Sequence, residues 1–456
     1  MRFLLILLLC LPISALAQTR VPLSNAEIGL SFAPIVSQAA PAVVNIYAKR
    51  VSERRRTPFM SDPFFDQFFQ GLVNPKPKVQ NSLGSGVILS SDGIVVSNYH
   101  VVGLATDIRV VLNDRREFSA RVLLGDKDSD LAILKLEDAV DLPSLRLRNS
   151  DDVQVGELVL AIGNPFGVGQ TVSSGIVSGL ARSGAAGGAG RGYFIQTDAP
   201  INPGNSGGAL VDMAGNLIGV NTQIVTRSGG SNGIGFAIPA NLVAAFVDQA
   251  NGGRAQFERP WAGMTGQAVN QELADMLGLI APEGILISAL HDDSPFARAG
   301  IRVGDVITAV DGAVVNAPSE LVYRMSVAGE RDVMIDFVRQ GDRANVLVSL
   351  ITAPDTPPRS ELALPDQTVL PGLSLARINP AVITEFGLPL SATGVVVTDP
   401  GPFGRRVGLR RGDVVRLING TRVKDPKAVA QALSRPGRFR LNVLRGADNV
   451  VLRFRT

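Results

Sequence analysis

One cysteine and two histidines are all the thiol and imidazole that 456 residues contain, beside a single tryptophan and four tyrosines. The cysteine, Cys10, lies in the N-terminal apolar run Phe3 to Leu11, between Met1-Arg2 and the small-residue site Ala15-Leu16-Ala17. A basic start, a short apolar stretch and an Ala-x-Ala site read as a secretory signal over residues 1–17. Leu9 stands where a lipidated cysteine would need a small neighbour, so Cys10 is expected to leave with the signal. An exported chain without thiols has no disulfide, no thiol nucleophile and no cysteine metal centre. Two isolated imidazoles, His100 and His291, support a His-based metal site poorly. Neither a metal nor an organic cofactor is expected, and no nucleotide motif occurs.

Long hydrophobic runs are missing too. The N-terminal run is too short to span a bilayer comfortably and no later stretch is long enough, so no transmembrane anchor is expected. Charge of one sign is also scarce: 44 Lys and Arg against 41 Asp and Glu leave a net +3. Nothing there calls for nucleic acid, and Arg54-Arg55-Arg56 fits a solvated loop better than a phosphate clamp.

Glycine (48) and proline (28) are abundant, and helix interiors tolerate neither, so a mainly β chain of two to four domains is expected. Gly86 to Ser90 and Ile94 to Ser97 flank Asp92-Gly93, a hairpin turn signal. Further strand-like runs follow at Ile108 to Leu112, Leu131 to Leu136, Leu158 to Ile162, Thr171 to Val177, Tyr193 to Thr197, Leu217 to Thr222 and Ile234 to Ile238. Many short strands at this spacing indicate a barrel or sandwich. Ala240 to Ala250 reads as one closing helix.

The last part is duplicated. Gly300-Ile301-Arg302-Val303-Gly304-Asp305-Val306-Ile307 leads to Asp311-Gly312, and Gly408-Leu409-Arg410-Arg411-Gly412-Asp413-Val414-Val415 leads to Asn419-Gly420. Pro295-Phe296 and Pro402-Phe403 open a short helical segment in each copy, and Ser319 to Val327 and Asp425 to Leu433 read as capped helices in equivalent places. Ala353-Pro354-Asp355-Thr356-Pro357-Pro358 has linker composition. The expected division is a domain over 18–254, a first module over 255–352, a linker over 353–367 and a second module over 368–456.

Ile201-Asn202-Pro203-Gly204-Asn205-Ser206-Gly207-Gly208 surrounds one serine with almost no side chain. A tight turn would explain the glycines; so would a nucleophile whose neighbouring N–H groups face an oxyanion. A serine nucleophile needs a base, and before the duplicated part the chain has one imidazole, His100, after the run Val95 to Tyr99. A carboxylate must fix its tautomer. Asp126, Asp128 and Asp130 share one loop, and Asp130 is the choice because it leads directly into Leu131-Ala132-Ile133-Leu134, while the other two are expected to stay solvated. The N–H groups of Gly204 and Ser206, with Asn205 between them, are the expected oxyanion donors.

Ser97-Asn98-Tyr99-His100-Val101-Val102, Asp128-Ser129-Asp130-Leu131-Ala132 and Gly204-Asn205-Ser206-Gly207-Gly208 resemble the three active-site motifs of the HtrA/Deg serine endoproteases, in the same order. The duplicated modules resemble paired PDZ domains, and the combination resembles the periplasmic Do-type members over nearly the whole exported chain. The resemblance implies a chymotrypsin-like double β-barrel, with His100 and Asp130 from the first barrel and Ser206 from the second. It implies that Thr222, Gln223, Ile224, Val225 and Thr226 border the substrate strand and the pocket before the cut, with small aliphatic residues favoured. No acidic side chain occurs in that loop to recruit Lys or Arg. Ser183 to Gly192 is a mobile surface loop by composition and a sensor loop by resemblance; Pro63 to Phe69 fits a local hydrophobic cluster or the family's regulatory loop.

Ala262, Gly263, Met264, Thr265 and Gly266 sit where the family places a loop that captures peptide C-termini, with Trp261 fitting a core or linker-packing role equally. Gly372-Leu373-Ser374-Leu375 in the second module is a less typical loop, and His291 reads as a surface or groove residue. The expected function is ATP-independent degradation of unfolded exported proteins in the periplasm, with chaperone activity and a part in envelope stress. The partners are then unfolded proteins and peptides, and the resemblance implies a homotrimer that can build larger cages. A chaperone or scaffold with a silent protease domain, and a regulatory protease cutting one signalling protein, are the alternatives.

Overall fold

The computed structural model describes residues 31–51, 79–164, 169–180, 193–202, 204–224 and 233–456. The signal segment 1–17, Arg54 to Arg56, Pro63 to Phe69 and Ser183 to Gly192 lie outside the described residues.

Six antiparallel strands close the first barrel: β1 (Val43–Val51), β2 (Val79–Ile88), β3 (Ile94–Ser97), β4 (Asp107–Val111), β5 (Glu117–Asp126) and β6 (Leu131–Leu136), in the order β1-β2-β3-β6-β5-β4. Helix α1 (Ala33–Ala39) precedes β1, and the single turn α2 (Tyr99–Val102) follows β3. The β2–β3 hairpin turns at Gly93, whose φ of 96° suits glycine. A second closed barrel contains β7 (Leu158–Gly163), β8 (Thr171–Gly179), β9 (Ile195–Thr197), β10 (Ala209–Val211), β11 (Leu217–Ile224) and β12 (Gly235–Pro239), ordered β10-β11-β12-β9-β8-β7. Helix α3 (Ala240–Asn251) packs Leu242, Val243 and Phe246 into a core that also holds Val95, Leu134 and Leu160, so both barrels contribute to one hydrophobic cluster, while Val159, Ala161, Leu210 and Ile218 belong to a separate one within the second barrel. Each such side chain, fully buried, contributes about 1.5–3 kcal/mol.

The sequence gives no strong strand signal for β5, where Glu117, Arg121 and Asp126 interrupt the apolar pattern, nor for β10, which has three residues. Pairing on both sides, not local pattern, makes them strands.

The first module is an antiparallel sheet ordered β13 (Met264–Ala268), β14 (Ile285–Leu290), β15 (Val306–Val310), β17 (Asp332–Arg339), β18 (Asp342–Ser349), with the short β16 (Ala313–Val314) beside β15. Its helices are α4 (Gln271–Leu277), α5 (Pro295–Arg298) and α6 (Pro318–Ala328). Ser294 caps α5, but Ala317 precedes α6 without the side-chain cap its sequence suggested; instead Glu320 Oε2 accepts the N–H of Asn316 at 2.6 Å. The second module repeats the plan with β19 (Leu362–Ala363), β20 (Ser374–Arg377), β21 (Val395–Asp399), β22 (Val414–Ile418), β23 (Thr421–Arg422), β24 (Arg438–Arg445) and β25 (Asp448–Arg455), and with α7 (Pro380–Phe386), α8 (Gly401–Arg406) and α9 (Pro426–Ala432), the last capped by Asp425.

The glycine-aspartate element of the repeat has a physical reason. Asp305 is 2% exposed; Arg339 grips it through Nε (2.7 Å) and Nη2 (2.6 Å) and donates to the Gly300 carbonyl at 2.8 Å. Asp413, 0% exposed, is held by Arg445 Nε and Nη2, both at 2.8 Å, and Arg445 reaches the Gly408 carbonyl at 2.7 Å. Two-pronged guanidinium contacts satisfy carboxylates that could not otherwise be buried.

The modules differ at one edge. In the first, β13 is the open end of its sheet. In the second, the equivalent β20 is already paired by β19, with Leu362 opposite Leu375 and Ala363 opposite Ser374. The first module also leans on the barrels. Tyr323 of α6 stacks on Tyr193 with centroids 3.9 Å apart, Arg324 donates to Asp151 at 2.6 Å, and Phe257 stacks on Phe246 at 3.9 Å. Among the described residues no helix is long and apolar enough to cross a membrane.

Candidate active site

The turn after β3 and the start of β6 meet at the mouth of the first barrel. Asp130 adopts a left-handed backbone (φ 54°), uncommon for a side-chain-bearing residue. Its carbonyl holds that turn by accepting Tyr99 N–H at 3.1 Å and Asn98 Nδ2 at 3.0 Å. The carboxylate then faces His100: Oδ1 accepts the backbone N–H of His100 at 3.0 Å, and Nδ1 lies 2.8 Å from Oδ2 and 3.0 Å from Oδ1. A carboxylate only accepts, so Nδ1 carries the hydrogen and Nε2 is left as the basic nitrogen. Burial pushes the imidazole pKa down, but the charge of Asp130 and its hydrogen bond outweigh burial and hold it above the ordinary 6.5.

The second barrel adds Thr222 and Ser206. Thr222 Oγ1 donates to Asp130 Oδ2 at 2.7 Å, and the Thr222 carbonyl accepts from Ser206 Oγ at 3.0 Å. Asp130 thus joins His100 to Thr222, and Thr222 joins Asp130 to Ser206. The side chain of Thr222 is 4% exposed and faces the carboxylate, a contact that its place in the sequence did not suggest. Gln223 and Ile224 end β11; Val225 and Thr226 lie outside the described residues.

Most peptide groups of the serine turn have a protein partner among the described residues. Asn205 N–H donates to Asn202 O (2.9 Å), Gly207 N–H to Asn221 O (2.8 Å) and Gly208 N–H to Asn205 O (2.9 Å); Ser206 O accepts from Ser85 N–H at 2.9 Å and Gly204 O from Ser85 Oγ at 2.7 Å. The N–H groups of Gly204 and Ser206 have no protein acceptor among the described residues. Gly204 has φ 101°, a conformation that suits glycine, and the Asn205 N–H closes the turn on the Asn202 carbonyl. Gly207 is required for space: a Cβ there would stand 2.1 Å from the Ser85 carbonyl oxygen.

One expectation is overturned. Asp126 does not stay solvated: its side chain is 15% exposed, it accepts from Ser129 N–H at 2.7 Å, and Arg259 pairs with it from the segment joining the barrels to the first module. A partner 133 residues away cannot be read from a local aspartate cluster.

In the first module Trp261 is buried, donates its backbone N–H to Ile351 O at 2.7 Å and meets His291 edge-on, ring to ring, at 5.4 Å. The Ala262 carbonyl accepts Ser294 Oγ at 2.6 Å, and Gly263 (φ 60°) accepts His291 N–H at 2.8 Å. The N–H groups of Ala262 and Gly263 have no acceptor among the described residues, and Met264, Thr265 and Gly266 enter the open edge strand β13.

Two closed six-stranded barrels with an imidazole, a carboxylate and a serine at their junction, followed by PDZ-like modules, define a trypsin-like serine endopeptidase class. A trypsin-like peptidase domain matches residues 84–220 and a PDZ domain residues 286–339. The chain is 38% identical over 423 residues to a probable periplasmic serine endoprotease, DegP-like, of Halomonas elongata, covering 88% of this chain and 87% of that protein. It is 34% identical to the periplasmic serine endoprotease DegP of Escherichia coli (strain K12), with 97% and 95% covered. The solved structure of the HtrA-type protease AlgW with a tripeptide superposes with a TM-score of 0.55 at 39% identity, over 71% of this chain and 98% of that one. The chain belongs to the HtrA/Deg family of serine endoproteases, among its DegP-like members.

Proposed function

We propose that the protein is a periplasmic, ATP-independent endoprotease that degrades unfolded exported proteins through an acyl-enzyme, with Ser206 as nucleophile, His100 as base and Asp130 as the group that orients His100. The reading is carried by one observation: a continuous path from His100 through Asp130 and Thr222 to Ser206 runs across both barrels, beside two N–H groups with no protein acceptor among the described residues.

The hydroxyl proton of Ser206 is directed at the Thr222 carbonyl. Rotation about Cα–Cβ brings it to His100 Nε2, which accepts it as Oγ attacks the scissile carbonyl carbon. The oxygen that gains charge is received by Gly204 and Ser206 N–H, where each donor is worth about 3 kcal/mol of transition-state stabilisation. The imidazolium then protonates the leaving amine, and a water, deprotonated by the same nitrogen, releases the acyl group. Asp130 stays ionised throughout.

Gln223, Ile224, Val225 and Thr226 border the pocket for the residue before the cut, and small aliphatic side chains suit a loop without an acidic group. C-terminal peptides add as a strand on β13, their carboxylate met by Ala262 and Gly263 N–H; AlgW, a relative, has been solved with a tripeptide and with a decapeptide. The names of the relatives and the N-terminal signal support export to the periplasm, and the family resemblance supports a homotrimer. The test compares the exported chain with its Ser206→Ala variant on an unfolded protein, scoring both fragments and suppression of aggregation. Loss of cleavage with retained suppression is expected, and cleavage by the variant would overturn the assignment.

A further inference from the structure

Ser85 lies on β2 of the first barrel, fully buried, and both ends of it grip the serine turn of the second. Its N–H donates to Ser206 O at 2.9 Å, and its Oγ donates to Gly204 O at 2.7 Å while accepting Asn164 N–H at 2.9 Å. We infer that Ser85 is a positioning residue that sets the oxyanion donors from across the barrel boundary; the inference rests on the catalytic reading of Ser206.

The argument is a count of rotations. Gly204 sits at φ 101° with no side chain to resist turning of the peptides on either side. The Gly204–Asn205 peptide is fixed at its N–H by Asn202 and at its carbonyl by Ser85 Oγ. The Ser206–Gly207 peptide is fixed at its carbonyl by Ser85 N–H and at its N–H by Asn221. The two unclaimed donors, Gly204 N–H and Ser206 N–H, belong to the peptides preceding these residues, so their aim follows from the torsions that Ser85 holds at both positions. Removing the hydroxyl frees the Gly204 carbonyl to rotate and leaves Asn164 N–H without its acceptor. The backbone half of the grip, on Ser206, survives. The hydrogen bonds of Ser85 run to Ser206, Gly204, Asn164 and Ser97 and not to His100 or Asp130, so its influence falls on the charge that develops on the substrate oxygen and not on the base.

Ser85→Ala is therefore expected to lower kcat by about 10- to 100-fold, short of the about 10²–10³-fold of a lost oxyanion donor, with KM within about threefold. Affinity for a peptidyl boronic acid, whose tetrahedral adduct needs the same donors, should fall by the same factor as kcat/KM. The acid-limb midpoint of kcat/KM should not move. Ser97→Ala is the structural comparison, since it removes a fully buried hydroxyl that donates to the Ser85 carbonyl at 2.7 Å and leaves the grip on Gly204 intact. Its kcat per folded molecule should stay within about threefold. A Ser85→Ala protein that loses thermal stability as Ser97→Ala does but keeps kcat and boronate affinity would overturn the inference, as would a rise in KM alone. Cleavage retained by Ser206→Ala would instead sink the underlying reading, so the two failures are distinguishable.

Discussion

Thr222 Oγ1 donates to Asp130 Oδ2 at 2.7 Å, which makes a residue of the second barrel a direct partner of a carboxylate of the first. Thr222→Val keeps the shape and removes the donor. A hydrogen bond to a charged group contributes about 1.5–3 kcal/mol, so a stability loss of that order is expected in denaturant titrations. The carboxylate, stripped of one donor, pulls harder on His100, and the acid limb of kcat/KM should move to higher pH. A variant with an unmoved limb and unchanged stability would show that the contact contributes nothing.

His100 must be neutral to act as base, and its pKa lies above 6.5 because Asp130 outweighs burial. The acid limb of kcat/KM is accordingly expected to have its midpoint above 6.5. In Asp130→Asn only the burial penalty remains, so the midpoint should drop while kcat falls by about 10⁴-fold. The stability linkage has the opposite sense to activity: the folded pKa is raised, so the pair's contribution is complete below the unfolded value and fades as pH rises through the folded one. Stability measured against pH in the Ser206→Ala background checks the second sign, and kcat/KM against pH in the unsubstituted chain checks the first.

Tyr323 joins the first module to the barrels by packing and hardly by its hydroxyl, which lies 3.4 Å from Ser150 Oγ. Tyr323→Phe should change stability by less than about 1 kcal/mol. Tyr323→Ala should cost about 3–5 kcal/mol, as buried aromatic truncations do, and should expose the segment around Arg254 to limited proteolysis. Burial also raises the phenol's pKa, so Tyr323 should ionise late in an absorbance titration, and Tyr323→Phe identifies its signal.

An open β13 against a covered β20 predicts unequal modules. A C-terminal peptide should titrate to one site per chain by calorimetry. Leu364 N–H bonds the Leu373 carbonyl at 2.8 Å, so Leu362, two residues earlier, is the bonded position of the covering strand; Leu362→Pro, which removes that donor, should raise the stoichiometry toward two. Two equal sites in the unsubstituted chain would refute the inequality.

What could be read in advance follows from how local each cause is. Leu131–Leu136 announces β6 because it is buried nearly throughout, and a continuous apolar run survives in the sequence. Glu117–Asp126 hides β5, because a single one of its ten residues is fully buried and its pairing comes from strands before and after it. At the site, the meeting of His100 and Asp130 was legible from type and order. The direction of the Thr222 side chain was not, since it depends on register in β11. Ser85 was hidden for a similar reason, although Gly84-Ser85-Gly86 carries the same signal as the Ser206 segment, a hydroxyl between residues that let backbones approach.

The matched grips of Arg339 on Asp305 and Arg445 on Asp413 hold each module's framework from within, away from either edge strand. Because each rivet is internal, one copy leaves its border strand bare and the other wraps it with the chain that leads in, on the same frame.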